Sequence, residues 1–388
     1  TPASAARPLP CTPSEIDRLG WDAPDIILVS GDAYVDTPFS GVALIGRALA
    51  AAGFRVAIIA QPGVATADDI RRLGQPRLFW GVSGGCVDSM VANYTATCKR
   101  RRQDDFTPGG ENTARPDRAV IAYCNLIRSA FKPCKPIVIG GIEASLRRIA
   151  HYDYWADAVR RHILFDAKAD ALLYGMAERT TVALARRLRE GAPWRDLKGL
   201  CHAAPANAPD PPSGAVRLPS FAEVSEATPR GREAFLAMFR LFAANQDPLT
   251  AAPLLQRVDT RDLVHNPPAA PPSPHELDAL YALPFTLDAH PCHAAKGSVR
   301  ALDTIRFAIT SHRGCYGECN FCAIAMRQGR RVVSRSADSI VAEAERLTRH
   351  PKFAGVIQDV GGPTANMYGF ECPRKAARGA CPDRRCLF

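Results

Sequence analysis

A chain of 388 residues with 47% apolar and 23% charged residues has room for more than one folded unit, and its balance excludes a disordered or collagen-like polymer. No apolar run approaches the ~20 residues of a membrane-spanning helix, and the opening "TPASAARPLPCTP" lacks the parts of a secretory signal, so a cytoplasmic protein with no membrane partner is expected. The net charge of +10 would suit a polyanion, but the basic residues come in short scattered runs (99–102, 147–148, 160–161, 186–187), and Arg-rich coding bias gives the same balance.

Residues 1–20 read as an N-terminal tail. From 21 to 199 apolar strands alternate with helices. "DIILVSG" (25–31) is an apolar run ending in a turn, as in a buried parallel strand. In 41–53, Val42, Ile45, Leu49 and Ala52 share one helical face and Gly53 supplies the stop. Further strands are expected at 54–62, 77–85, 135–145 and 169–175, with helices at 118–131 and 177–191. The turns after the strands hold Gly31, Gly84, Gly85, Gly140 and Gly141. Such alternation predicts a doubly wound α/β sheet that binds ligands at the carboxyl ends of its strands.

Residues 200–300 are Pro-rich and weakly patterned, so an extended connecting segment with one helix (231–246) is expected. The alternation then resumes. A strand at 304–311 runs into a cysteine loop, Ser336 opens a helix, and a strand at 353–362 ends in Gly361-Gly362. The charged run 140–155, with Glu143, Arg147, Arg148, His151 and Asp153, suits either a ligand-binding edge or a solvated helix.

Thirteen cysteines in a chain without an export signal point to metal or catalysis rather than to disulfides. Cys315, Cys319 and Cys322 crowd one strand-to-helix loop. A zinc site would want a fourth ligand, for which Cys292 or His312 could serve. An iron–sulfur cube held by three thiolates would instead keep one iron open to a small molecule. Cys372, Cys381 and Cys386 form a candidate second metal site. Cys11, Cys86, Cys98, Cys124, Cys134 and Cys201 read as ordinary small hydrophobes.

The C-x₃-C-x-aromatic-C spacing after the first strand of an α/β unit resembles the signature of radical S-adenosylmethionine enzymes. "DAYVDTPFSGVALIGRAL", "FWGVSGG", "VIGGIEASLRRIAHYDYW" and "TSHRGCYGECNFCAI" together resemble the YgiQ family of those proteins, and with "GFRVAIIAQP" they span most of 25–370. The resemblance implies a Rossmann-like, cobalamin-binding-type domain at 21–199, followed at 301–388 by the start of a radical S-adenosylmethionine partial (β/α) barrel. It implies a [4Fe–4S] cluster on Cys315, Cys319 and Cys322, with S-adenosylmethionine on its open iron. Phe321 would lie against the adenine, and Gly361 and Gly362 would contact the methionyl amino group. Pro363 stands where the family has an acidic residue, and Arg313-Gly314 resembles the family's "RGC" variant.

The implied reaction is reductive cleavage of S-adenosylmethionine to a 5′-deoxyadenosyl radical, with an electron donor such as flavodoxin or ferredoxin and a substrate the resemblance does not give. Cobalamin is not expected, because the first turn, "GDAYVDTPFSG", lacks the family's ligating histidine. The residues after 300 are too few to close a barrel, so the chain is expected to be the truncated N-terminal portion of a longer enzyme, inactive alone. The competing reading is an RNA-associated protein with a structural zinc site at the cysteines.

Overall fold

The computed structural model describes residues 7–206, 212–317, 319, 321–362, 366–381 and 386. Apolar runs that are buried on both sides build its central sheet. The first strands are Ile26–Ser30 (β1), Val56–Ala60 (β2), Phe79–Ser83 (β3) and Ile137–Gly140 (β4). A hairpin of His151–Asp153 (β5) and Ala158–Arg160 (β6) then precedes Ala171–Leu173 (β7). Strands β2-β1-β3-β4-β7 lie side by side and all parallel, with Ile26 opposite both Val56 and Phe79.

Alternate residues of these strands feed two separate cores. Ile27, Val29, Trp80, Val82, Ile137 and Ile139 pack on the helix Ala119–Ala130 through Tyr123, Cys124 and Ile127. Ile26, Leu28, Val56, Ile58 and Phe79 pack with Val42 and Leu49 of the helix Gly41–Ala51 and Leu184 of the helix Glu178–Glu190. Apolar side chains on both faces leave no face for water, which is why these strands read as continuous apolar runs. The strand order reverses direction between β1 and β3, so the loops that leave their carboxyl ends turn to opposite sides and leave a crevice between them.

The segment 200–300 departs from the expected connector. Leu200–Pro205 (β8), Val216–Leu218 (β9), Leu254–Val258 (β10) and Arg261–His265 (β11) extend the sheet to nine strands in the order β7-β8-β11-β10-β9. Pairs β7/β8, β8/β11 and β11/β10 are antiparallel. These strands carry charged residues and alternate weakly, so pairing with a distant partner, not local pattern, makes them strands. The segment also forms the helices Phe221–Ser225, Pro229–Ala244 and Pro274–Tyr281. Residues 7–20 are likewise no loose tail. Leu9, Cys11 and Ile16 are buried, and Thr12 and Glu15 form a capping box on the helix Pro13–Arg18.

The last part is built from Ala308–Thr310 (β12), His312–Arg313 (β13), Val333–Ser334 (β14) and Asp359–Gly361 (β15). Strands β12 and β15 are parallel, with Thr310 opposite Gly361, and the helix Ala337–Thr348 crosses between them. Its cap is Ser336, which accepts from the Ser339 amide at 3.1 Å. Strand β12 is shorter than expected because Leu302–Ile305 coils into a helical turn. Among the described residues no helix is long and apolar enough to cross a membrane.

The imidazoles of His162 and His265 are buried without a carboxylate near them. His162 lies against Phe165 at 3.9 Å with neither ring nitrogen hydrogen-bonded, and burial, reinforced by Arg161, pushes its pKa down to about 3. Burial and Arg148 do the same to His265, also to about 3. The unfolded chain therefore takes up protons near pH 6.5 that the folded chain refuses. Full stability is kept above that pH and is lost as the pH falls towards 3, at ~1.4 kcal/mol per unit for each ring. Urea midpoints measured between pH 7 and 4 are expected to fall less steeply for His162→Leu than for the parent; equal slopes would contradict this account.

Candidate functional site

The cysteine loop leaves β13 at Gly314, whose φ of +89° and contact with the Arg331 carbonyl admit no side chain. The Gly314 amide donates to Gln328 Oε1 (3.0 Å) and the Cys315 amide to the Gly329 carbonyl (3.2 Å), folding the loop back on the helix Ile324–Gln328. Cys315 is buried, Cys322 half-buried and Cys319 exposed. The Gly317 amide donates to Cys315 Sγ at 3.3 Å, and the Cys319 thiol donates to the Gly317 carbonyl at 3.8 Å. A methyl group on Gly317 would touch both sulfurs, at 3.4 and 3.5 Å. Cys315 and Cys319 therefore converge on one glycine, and the Cys322 amide closes the turn on the Cys319 carbonyl at 2.9 Å.

Neither candidate for a fourth zinc ligand joins them. Cys292 lies beside Cys11 and His290. The His312 ring is buried against Gly362, where an added Cβ would overlap it; its Nδ1 sits 3.0 Å from the Ser311 hydroxyl and its Nε2 has no partner. Burial lowers the pKa of this imidazole, opposed by the Glu371 carboxylate. Among the described residues the three loop sulfurs do not gather within 4.8 Å as donors to a single ion would. A cube needs no such closeness, because each thiolate takes a different iron. An all-sulfur donor set on one loop, with a glycine between two of the sulfurs, fits an iron–sulfur cluster.

Arg313, just before the loop, is held by the rest of the fold. Its Nη1 donates to Glu178 Oε1 at 2.7 Å and its Nε to the Tyr281 hydroxyl at 3.2 Å, and both charges are buried. Burial alone would push the Glu178 carboxyl up, but the Arg313 guanidinium outweighs it and holds the pKa low. A second buried guanidinium, Arg335, lies 4.4 Å over the Tyr281 ring, pairs with Glu343 and donates to the Thr310 carbonyl at 2.9 Å.

Between the sheet and this unit lies a cavity of about 380 Å³, within the usual range for small-molecule sites. One wall is the turns after β1, β3 and β4, with Asp32, Gly85, Cys86 and Gly141; the other is Thr310, Arg313, Arg327, Gly361 and Gly362. Asp32 is buried and ion-paired with Arg115, which also reaches Asp104 at 3.1 Å, and its Oδ2 accepts from the Cys86 amide at 2.6 Å. Burial raises the Asp32 pKa, opposed by the Arg115 charge. The glycines are needed for close approach: a Cβ on Gly31 would overlap the Gly84 carbonyl, and one on Gly85 would overlap the Asp32 carboxylate. The expectation against cobalamin has no support in this geometry; it rests on the missing histidine of the β1 turn alone.

The remaining sequence-derived residues divide. Gly361 and Gly362 face the cavity, whereas Phe321 stands 93% exposed beside the loop. Pro363 lies outside the described residues. Cys372 and Cys386 pack against Cys315, Tyr316, Val332 and Met367; Cys381 is half-buried and does not belong to that cluster. Gly140 and Gly141 at the start of the run 140–155 line the cavity, and most of its charged side chains are drawn into contacts within the fold. Glu143 accepts from the Ser89 and Val120 amides at 3.1 Å, Arg147 pairs with Asp88, Asp153 takes Arg118 at 3.1 Å, and Arg148 is buried over Tyr174 and Phe242. The basic runs are drawn into ion pairs too: Arg100 with Asp117, Arg160 and Arg161 with Asp166, and Arg187 with Asp196. Sequence reasoning missed Glu178, Arg115 and Tyr281. The one available signal was an acidic residue opening the helix after β7.

Residues 8–308 match the family model described as Radical SAM N-terminal. A UPF0313 protein of Fusobacterium nucleatum is 55% identical over 381 residues, covering 98% of this chain and 66% of the relative. One of Thermotoga maritima is 49% identical over 380 residues, with the same shares. The chain thus spans 66% of the length of these relatives. Two structures of the radical S-adenosylmethionine methyltransferase TsrM from Kitasatospora setae are similar at 15% identity. One holds tryptophan and aza-SAM, the other cobalamin and a [4Fe-4S] cluster. Their TM-scores are 0.42 and 0.44, and the matches cover 88% of this chain and 47% and 48% of theirs.

Removing one partner of the Glu178–Arg313 pair leaves the other charge buried and alone. Glu178→Gln is expected to lower the unfolding free energy by ~3–5 kcal/mol, whereas Glu178→Leu with Arg313→Met recovers most of it. Urea unfolding of the three proteins checks this; a single substitution within error of the parent would contradict it.

Proposed function

Because this chain belongs to the UPF0313 (YgiQ) family of radical S-adenosylmethionine proteins, we propose that it is part of an iron–sulfur enzyme whose Cys315, Cys319 and Cys322 hold a [4Fe–4S] cluster. The observation that carries the reading is the loop itself: three thiols, two of them converging on Gly317, while Cys292 and His312 are engaged elsewhere. When bound, the cluster supplies the electron for reductive cleavage of S-adenosylmethionine to methionine and a 5′-deoxyadenosyl radical. The chain's own residues bind and orient. Gly361 and Gly362, at the end of β15, line the cavity and meet the methionyl group there. Phe321, exposed beside the cysteines, covers the adenine and loses its contact with water on binding.

In this reading residues 21–199 form a Rossmann-like domain, to which β8–β11 are added, and 301–388 begin the partial (β/α) barrel. The substrate enters the cavity between them, with Asp32, held from behind by Arg115, on one wall and Arg327 on the other. A flavodoxin or ferredoxin delivers the electron. Cys372 and Cys386, packed beside the Cys315 side of the loop, supply ligands to a second metal centre with Cys381.

Anaerobic reconstitution with iron and sulfide tests the first assignment. A broad absorbance near ~400 nm is expected, abolished by Cys315→Ala, Cys319→Ala or Cys322→Ala. No iron uptake, with stoichiometric zinc that disappears in the same three variants, would sink it.

A further inference from the structure

Among the described residues one set of metal-capable side chains has its ligand atoms all within 4.8 Å of one another: Cys11, His290 and Cys292. None of them lines the cavity. We propose that these three residues bind a zinc ion that staples the N-terminal segment to the turn at 290–293. Two thiolates and an imidazole are a donor set that selects zinc over calcium or magnesium. In a tetrahedral site, Zn–S and Zn–N bonds of ~2.3 and ~2.0 Å put donor atoms under ~4 Å apart. The observed spacing needs only a small closing movement.

The backbone already holds the donors in place. The Cys11 amide donates to Glu15 Oε2 at 2.9 Å, and the Pro10 carbonyl accepts from Ile58 of β2 at 2.9 Å. On the other side the His290 amide donates to the Tyr34 carbonyl at 2.9 Å, and the imidazole stacks on the Tyr34 ring at 5.7 Å. Pro291 and Cys292 then open a short 3₁₀ turn, Pro291–Lys296.

His290 supplies the second, independent sign of a ligand. Its side chain is almost wholly buried. Nδ1 accepts from the Cys292 amide at 3.2 Å, so the proton sits on Nε2, which lies 3.1 Å from Glu15 Oε1 but is too poorly aligned to hydrogen-bond. A metal on Nδ1 replaces the Cys292 amide as that atom's partner. It lets Nε2–H settle on Glu15, the carboxylate–histidine–metal relay that fixes the tautomer in metal sites. Both sulfurs bind as thiolates, so any thiol proton they hold is released, and the fourth position opens to water beside the exposed Cys292. His293 stands behind it, its Nε2 accepting from the Tyr34 amide at 3.0 Å.

The test separates this ion from both proposed centres by working in a background that combines Cys315→Ala, Cys319→Ala, Cys322→Ala, Cys372→Ala, Cys381→Ala and Cys386→Ala. The chain is purified anaerobically, its metals are measured by mass spectrometry, and it is titrated with cobalt(II) as a spectroscopic probe. About one zinc per chain is expected, with tetrahedral cobalt–thiolate bands. Cys292→Ser, at an exposed position that leaves the fold intact by circular dichroism, loses both. Glu15→Gln retains the site but weakens zinc binding by roughly 10–100-fold. The proposal is overturned if the folded parent takes up neither metal, if Cys292→Ser binds zinc as the parent does, or if Cys11 and Cys292 are recovered as a disulfide.

Discussion

The buried pair of Glu178 and Arg313 is the interaction on which the arrangement of this molecule depends. Glu178 opens the helix that follows β7, and Arg313 is the residue before the Gly314 turn into the cysteines. Neither charge can be left alone in the interior, since an unpaired buried ion costs several kcal/mol. Once they meet, the start of the cysteine loop has one position relative to the sheet. Tyr281 completes the joint by taking Arg313 on its hydroxyl and Arg335 on its ring face.

Tight backbone approach does for the cavity what the ion pair does for the joint. Gly31 meets the Gly84 carbonyl, Gly85 meets Asp32, Gly314 meets the Arg331 carbonyl and Gly362 meets the His312 ring. At each of these points a Cβ would push two elements apart. Glycine keeps the walls close enough that polar groups from both units face one space. The single residues Arg313 and Gly362 therefore serve both the packing between units and the lining of the cavity.

How much of this was legible in the sequence follows from the range of the forces involved. Strands β1 to β4 and β7, the glycine turns and the Ser336 cap are set by local pattern, and all could be read. The cysteine loop could be read for the same reason, because its three thiols lie within eight residues. Strands β8 to β11 could not: "LLQRV" and "RDLVH" mix charge with apolar residues, and only their neighbours in the sheet make them strands. Glu178 and Arg313 are 135 residues apart, and Cys11 is farther still from His290. No spacing rule covers such pairs. The run 140–155 misled for a related reason: its charges look solvated one by one, yet they find partners in Asp88, Arg118 and the amides of Ser89 and Val120.

The same pairing bears on the excess of positive charge. A chain with 49 basic and 39 acidic residues invites a polyanion, but a polyanion responds to the field at the surface, not to the count. Arg47, Arg115, Arg148, Arg313 and Arg335 are all buried. Four of them face carboxylates and the fifth lies over aromatic rings. Arginine is suited to this work because its planar guanidinium can meet a carboxylate on its edge and a ring on its face at once. Arg335 does both, with Glu343 and Tyr281. These five arginines are thus structural cement within the fold, while Asp32 and Arg327 line the space between the two units.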